Sequence, residues 1–142
     1  MTTPPPCTFC AIVAGKVPAT RVLEDDGFVA FLDLRPLFPG HTLVVPRAHV
    51  ETLTDLPAHD VGPLFQRVQA LASAMEAGLG SSGSFVAVNN RVSQSVPHLH
   101  VHVVPRTKGD GLRGFFWPRQ RYGSDEEAEA VAARLRSALG GD

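Results

Sequence analysis

At 142 residues the chain can bury the core of one domain, and its 44% apolar content makes it globular rather than disordered. Thirteen Lys and Arg against fourteen Asp and Glu leave a net charge of −1, which excludes a broad basic face for nucleic acid. No apolar run approaches the ~20 residues of a membrane span, and the start "MTTPPPC" has no basic n-region or apolar h-region, so a cytoplasmic protein with no membrane partner is expected.

Residues 1–6 read as a flexible tail, and 7–142 as a single domain. Cys7 and Cys10 then stand as C-x-x-C. A structural disulfide is out of place in a reducing cytosol. Redox chemistry or metal remains, and metal is favoured because the pair precedes any strand. "CAIVAGKVP" has helical spacing and stops at Gly15 and Pro18; "ATRVLE" reads as a strand, Asp25-Asp26-Gly27 as a hairpin turn, and "FVAFLDL" as the returning strand. "RPLFPG" breaks it, and "HTLVVP" is a third strand, apolar on both faces and so central. One long helix follows, with Val61, Leu64, Phe65, Val68, Leu71, Ala72, Met75 and Leu79 in the i, i+3, i+4 pattern. Pro63 belongs in a first turn, so Asp60 is the expected N-cap with Pro63 at the third helical position. Gly78, Gly80 and Gly83 end the helix, "SFVAVN" is the fourth strand, and a histidine-bearing fifth follows. Ser124 and Glu127 form a capping-box pattern for a C-terminal helix striped by Val131, Leu135 and Leu139, which is expected to dock. "RGFFWPRQRY" before it is aromatic and basic; packing of that helix and the leaving-group side of a site are both open to it. The order strands, helix, strands, helix with short links indicates α+β with a five-stranded antiparallel sheet, one long helix and short N- and C-terminal helices.

The fifth strand carries the chemistry. "SVPHLHVHVVPR" places three of the six histidines, His98, His100 and His102, at alternate positions of an apolar run. In a strand they share one face at ~6.6–7 Å spacing, while Leu99, Val101 and Val103 share the other. A row of imidazoles is poor solvated filler. Such rings can bind metal, move protons or attack an electrophile. One flat strand cannot bring all three to one ion, since the first and third lie ~13 Å apart. A pair plus a ligand from elsewhere stays possible.

"HLHVHVV" resembles the histidine triad signature, and "CTFCAIVAGKVPATRVLEDDGFVAFLDLRPLFPGHTLVVPRAHV" and "SQSVPHLHVHVVPR" resemble that family's N-terminal half and active-site loop. The resemblance covers roughly residues 7–106 and points to the branch that hydrolyses nucleoside phosphoramidates and dinucleoside polyphosphates. It implies the histidine triad fold, a homodimer, and a purine nucleotide substrate, adenylyl in type. It implies that His100 attacks the α-phosphorus to form a nucleotidyl-histidine, that His102 supports the developing charge, and that His41 completes the site. Gln94, Ser95 and Val96 match the α-phosphate loop, with Gln94 counted among the catalytic group. Asp33 matches the ribose-binding carboxylate, Phe9, Ile12, Phe31 and Leu34 the base pocket, and Asn89 an asparagine near the phosphate. The loop "NNRVSQ" is shorter than the family's, and Ser93 stands where glycine is usual. Each residue also has a plainer reading: Asp33 as a turn cap, the apolar four as core, Ser95 and Asn89 as turn residues, His41 as a buried hydrogen-bonder.

Some members of that family carry a structural zinc on two cysteines and two histidines, and the matching positions are Cys7, Cys10, His49 and His98. Two thiolates with two imidazoles make a closed structural zinc site. A nucleotide-binding protein with little turnover and a metallohydrolase with catalytic zinc remain as rivals. A nucleotidyltransferase of the galactose-phosphate branch fits less well, because Leu99 stands where that branch has proline.

Overall fold

The computed structural model describes residues 7–112 and 119–140. The expected tail, and residues 113–118 of the aromatic basic stretch, lie outside them. The chain forms two compact units divided after Asp110.

The first unit begins with α1, Thr8–Val13, capped by the Cys7 side chain, which accepts from Cys10 N. Strands β1 (Arg21–Glu24) and β2 (Phe28–Leu32) form a hairpin. Its turn is closed by Asp25, whose Oδ1 accepts from Gly27 N and Phe28 N at 2.9 Å each. Strand β3 is Thr42–Pro46, α2 is Ala58–Leu79, and β4 (Gly83–Ala87) and β5 (Val101–Arg106) complete the sheet. The order is β1-β2-β3-β5-β4, with every neighbour antiparallel. The expected five-stranded antiparallel architecture is present, and β3 is its central strand.

The pleat sorts the core into two layers. Phe28 and Ala30 of β2, Val44 of β3, and Val101 and Val103 of β5 pack with Leu64, Val68, Leu71 and Met75 of α2. Val29, Phe31, Leu43 and Val45 point the other way and pack with Phe9 and Ile12 of α1. The sheet is thus buried on both faces, and α1 covers the face on which the site lies.

Two boundaries differ from expectation. Helix α2 starts at Ala58 behind Pro57, with Asp60 already in its first turn and Pro63 inside the helix. Asp60 N donates to Pro57 O at 2.9 Å, so the turn closes ahead of Asp60 and its carboxylate serves the positive helix end without capping it. Strand β5 starts at Val101, after His98 and His100. Leu99 N donates to Val50 O and His98 N to Val96 O, both at 2.8 Å, so this segment is extended but tied outside the sheet ladder.

The second unit contains α3, Asp125–Ala138. Ser124 caps it by accepting from Glu127 N at 3.1 Å, whereas the Glu127 carboxylate reaches Gly123 N at 2.8 Å instead of Ser124 N. The capping box is therefore shifted by one residue on its return arm. No helix among the described residues is long and apolar enough to cross a membrane.

Candidate active site and metal centre

A cleft of about 270 Å³ opens beside α1. Phe9, Ile12, Phe31 and Leu34 line it, with Asp33, Ser95, Val96, His100 and His102. The structure thus gathers nine of the residues expected around a nucleotide, drawn from α1, β2 and the turn after it, the segment before β5, and β5 itself. Leu34 is 90% exposed, so it stands at the rim and not in a core. Leu43 also lines the cleft. Its alternation with Thr42 and Val44 along β3 is the signal for it in the sequence.

The imidazoles are ordered by backbone partners of fixed polarity. His100 Nδ1 lies 2.8 Å from the His98 carbonyl oxygen. A carbonyl only accepts, so Nδ1 carries the proton and the neutral ring keeps its lone pair on Nε2. Leu37 N donates to His41 Nδ1 at 3.0 Å, and His41 Nε2 lies 3.0 Å from His102 Nδ1. His41 therefore holds its proton on Nε2 and donates it to His102, which is left with an Nε2–H. Burial lowers the pKa of His41. Burial, then His100 and His41 nearby, pushes His102 down to about 4. Both are neutral at pH 7. The His100 and His102 rings meet at 5.0 Å between centroids, and Phe9 packs on His100 edge to face at 5.1 Å.

Asp33 accepts from Arg35 N at 2.9 Å through Oδ1, while Oδ2 lies 3.6 Å from His41 Nε2. Asp33, His41 and His102 could by proximity hold a cation. The hydrogen bonding argues otherwise: His41 receives an N–H on one nitrogen and carries its proton on the other, so it has no lone pair to give.

Gln94 and Asn89 are not brought to the cleft. The Gln94 amide is spent within the protein, Oε1 accepting from Arg91 N at 2.8 Å and Nε2 donating to Glu51 O at 2.7 Å. Asn89 is exposed. Its neighbour Asn90 is the one engaged, accepting from Leu53 N at 2.8 Å. Ser93 sits at φ +60° and Arg91 at φ +68°. Ser93 thus adopts the left-handed conformation that glycine takes without cost.

Cys7, Cys10, His49 and His98 bring four ligand atoms within 4.8 Å of one another. The separations are 3.4 Å from Cys7 Sγ to His98 Nδ1, 3.5 Å from Cys10 Sγ to His98 Nδ1, 3.3 Å from Cys10 Sγ to His49 Nδ1 and 3.2 Å between the two Nδ1 atoms. A tetrahedron with zinc-like bonds to S and N has edges of about 3.3–3.8 Å. His98 Nε2 lies 2.8 Å from Pro46 O and so is its donor, which leaves the Nδ1 lone pair facing the cluster, as a metal-bound histidine requires. Burial first, and then Cys7, raises the Cys10 thiol pKa; a bound cation would reverse that. The donor set fits a closed four-coordinate zinc.

A family model for the HIT domain matches residues 14–109. An uncharacterised HIT-like protein of Mycobacterium tuberculosis is 40% identical over 139 residues, covering 94% of this chain and 93% of its own. The adenosine 5'-monophosphoramidase hnt1 of Schizosaccharomyces pombe is 32% identical over 138 residues, 94% and 98% of the two chains. Among solved structures, a HIT family protein from Bacillus anthracis superposes with a TM-score of 0.84 at 29% identity, covering 93% of this chain and 96% of that one. A Zn-bound histidine triad family protein from Mycobacterium smegmatis does so at 0.72 and 40% identity, again over 93% and 96%.

Proposed function

The chain belongs to the HIT domain family, and on that premise we propose that it is a nucleotide hydrolase acting at the α-phosphorus of nucleoside phosphoramidates or dinucleoside polyphosphates. The observation that carries the reading is the His100 ring, whose Nδ1–H is committed to the His98 carbonyl, so that a lone pair remains on Nε2 in the wall of an apolar cleft. That nitrogen attacks the α-phosphorus; a P–N bond forms as the bond to the leaving group breaks. Water then attacks the same phosphorus, the P–N bond breaks, and the nucleoside monophosphate leaves. His102 Nε2–H supports charge on the phosphoryl oxygens in both steps. Asp33 takes ribose hydroxyls, and Phe9, Ile12 and Phe31 hold the base, with adenine as the preferred purine. The hydrolase names of relatives such as the fission yeast phosphoramidase support the reaction class. The chain's net charge of −1 leaves nucleic acid outside the expected partners.

Cys7, Cys10, His49 and His98 would hold the zinc. It would supply a structural cross-link between the chain's N-terminal turn and the approach to β5, with no open coordination position for substrate. The leaving group then takes its proton from water, because the His98 ring is committed at both nitrogens.

A side-by-side assay of adenosine phosphoramidates, dinucleoside polyphosphates and nucleotidyl sugars tests the substrate class. His100→Asn should bind nucleotide but lose turnover by on the order of 10³-fold or more. Acid-quench of the wild type should leave one nucleoside monophosphate on the His100 peptide. Turnover in the variant close to wild type, with no adduct in either, would discard the mechanism in favour of a binding protein. Abolition of turnover by a chelator in a fully folded protein would favour the metallohydrolase.

A further inference from the structure

His98 belongs to two structures at once. Its Nδ1 faces the two thiols and His49, its Nε2–H is held by Pro46 O, and its own carbonyl holds the Nδ1–H of His100. A second connection runs through α1. Phe9 lies between Cys7 and Cys10 in the helix's first turn and packs on both rings, with centroids 6.0 Å from His98 and 5.1 Å from His100. The ring assigned to attack is therefore held from its backbone side by a peptide of the metal cluster, and on its face by a side chain carried between two of the cluster's ligands.

We infer that Cys7, Cys10 and His49 are positioning residues for the reaction, because metal held by them and His98 fixes the tautomer and tilt of His100 in addition to stapling the fold. This rests on the hydrolase reading for its consequence, but not for the geometry. With the cluster filled, the His98 ring cannot rotate, its peptide stays in place, and the His98 carbonyl keeps the His100 proton on Nδ1. With the cluster empty, the buried His98 ring keeps Pro46 O as its hydrogen-bond partner but loses its tie to α1 and His49, and α1 is held by its apolar contacts and the Arg21 bond to Ile12 O without the metal link to the His98 segment. The His100 proton can then populate either nitrogen, and the fraction with a free Nε2 lone pair falls. The effect falls on the chemical step more than on nucleotide capture, because Phe31 of β2 and Asp33 after it stay in place, while the loosened Phe9 and Ile12 account for a smaller loss of capture.

His49 is the exposed member of the cluster, so His49→Ala disturbs packing least, and His49→Cys restores a fourth ligand. Nitrogen-15 NMR of the imidazoles, read without substrate, should show His100 as a single Nδ1-protonated tautomer in zinc-loaded wild type and His49→Cys. In His49→Ala it should shift towards a mixture. Across the same set kcat should fall by on the order of 10- to 100-fold in His49→Ala, as for losses around a metal site, with a smaller rise in KM and recovery in His49→Cys. Wild type stripped with chelator and reloaded with zinc gives the same comparison without any substitution, and covers the case in which the alanine variant does not fold. Folded, zinc-free protein whose His100 tautomer and kcat match the loaded form would overturn the inference. A tautomer that follows zinc in a protein inert towards every nucleotide in the panel would uphold the inference and overturn the hydrolase reading.

Discussion

His102 carries a pKa pushed down to about 4, first by burial and then by the His100 and His41 rings, with Asp33 opposing. In the unfolded chain the same ring titrates near ~6.5. Between these values the unfolded state binds a proton that the folded state refuses. The contribution of His102 to stability is therefore complete above ~6.5 and is lost as pH falls from there to about 4. His41 shifts in the same direction and adds to the loss. Thermal midpoints should fall steadily across that window, and the His102 ring proton resonance should titrate near its lower end. A His102 midpoint near 6.5 would show that the neutral His41–His102 pair is not the resting state. Ser93 offers a second residue-scale test. Its φ of +60° costs about 1–2 kcal/mol, partly offset by the roughly 0.5–1 kcal/mol by which glycine loosens the unfolded chain. Ser93→Gly should gain up to about 1 kcal/mol in urea unfolding; a loss would mean that the Ser93 side chain has a partner of its own.

At the scale of elements, α2 is anchored by Leu64, which is fully buried against the sheet. Leu64→Ala should cost about 2–5 kcal/mol, measurable by denaturant unfolding. Gly40 hands the chain to β3 at φ +102°, where an added Cβ would meet Leu79 Cδ1 at 2.5 Å and Pro105 Cγ at 3.3 Å. Gly40→Ala should therefore destabilise by about 1–2 kcal/mol from backbone strain alone, and displace His41 enough to lower turnover. Much of this level was legible in the sequence because periodicity reports burial. The alternation of Val29, Phe31, Leu43 and Val45 against Ala30 and Val44 is the two-layer core itself. What escaped was decided by backbone bonds between distant segments. Leu99 N pairs with Val50 O, so β5 starts late although Leu99 and Val101 look like one run. Gln94 is turned by Glu51 O and Arg91 N, partners that its local sequence does not announce. The C-x-x-C spacing marks Cys7 and Cys10 as metal candidates, whereas His49 and His98 follow only from the resemblance, because the folded sheet alone brings them to the cysteines.

Taken whole, the molecule leaves two things to cover. The cluster of Cys7, Cys10, His49 and His98 should bind about one zinc ion per chain; Cys7→Ala should lower both zinc content and Tm while leaving residual catalysis, and a zinc-free preparation as stable as the loaded one would remove the site. On α2, Val61, Phe65 and Leu79 stay exposed beyond the buried stripe, and β4 is an open edge carrying an exposed Val86. Open edges and apolar helix faces invite a second copy, so sedimentation should give twice the chain mass; a single-chain species alone at micromolar concentration would count against a homodimer. The strand order also has a kinetic side. β1, β2 and β3 pair with their neighbours in sequence, whereas β3 and β5, with Leu43 opposite His102, are separated along the chain by α2 and β4. Closing that long loop is the slow part of forming such a sheet. His41 and His102 meet across this same ladder. During refolding, amide protection should appear first in the β1–β3 meander, and nucleotide turnover should return only with the phase that protects β5.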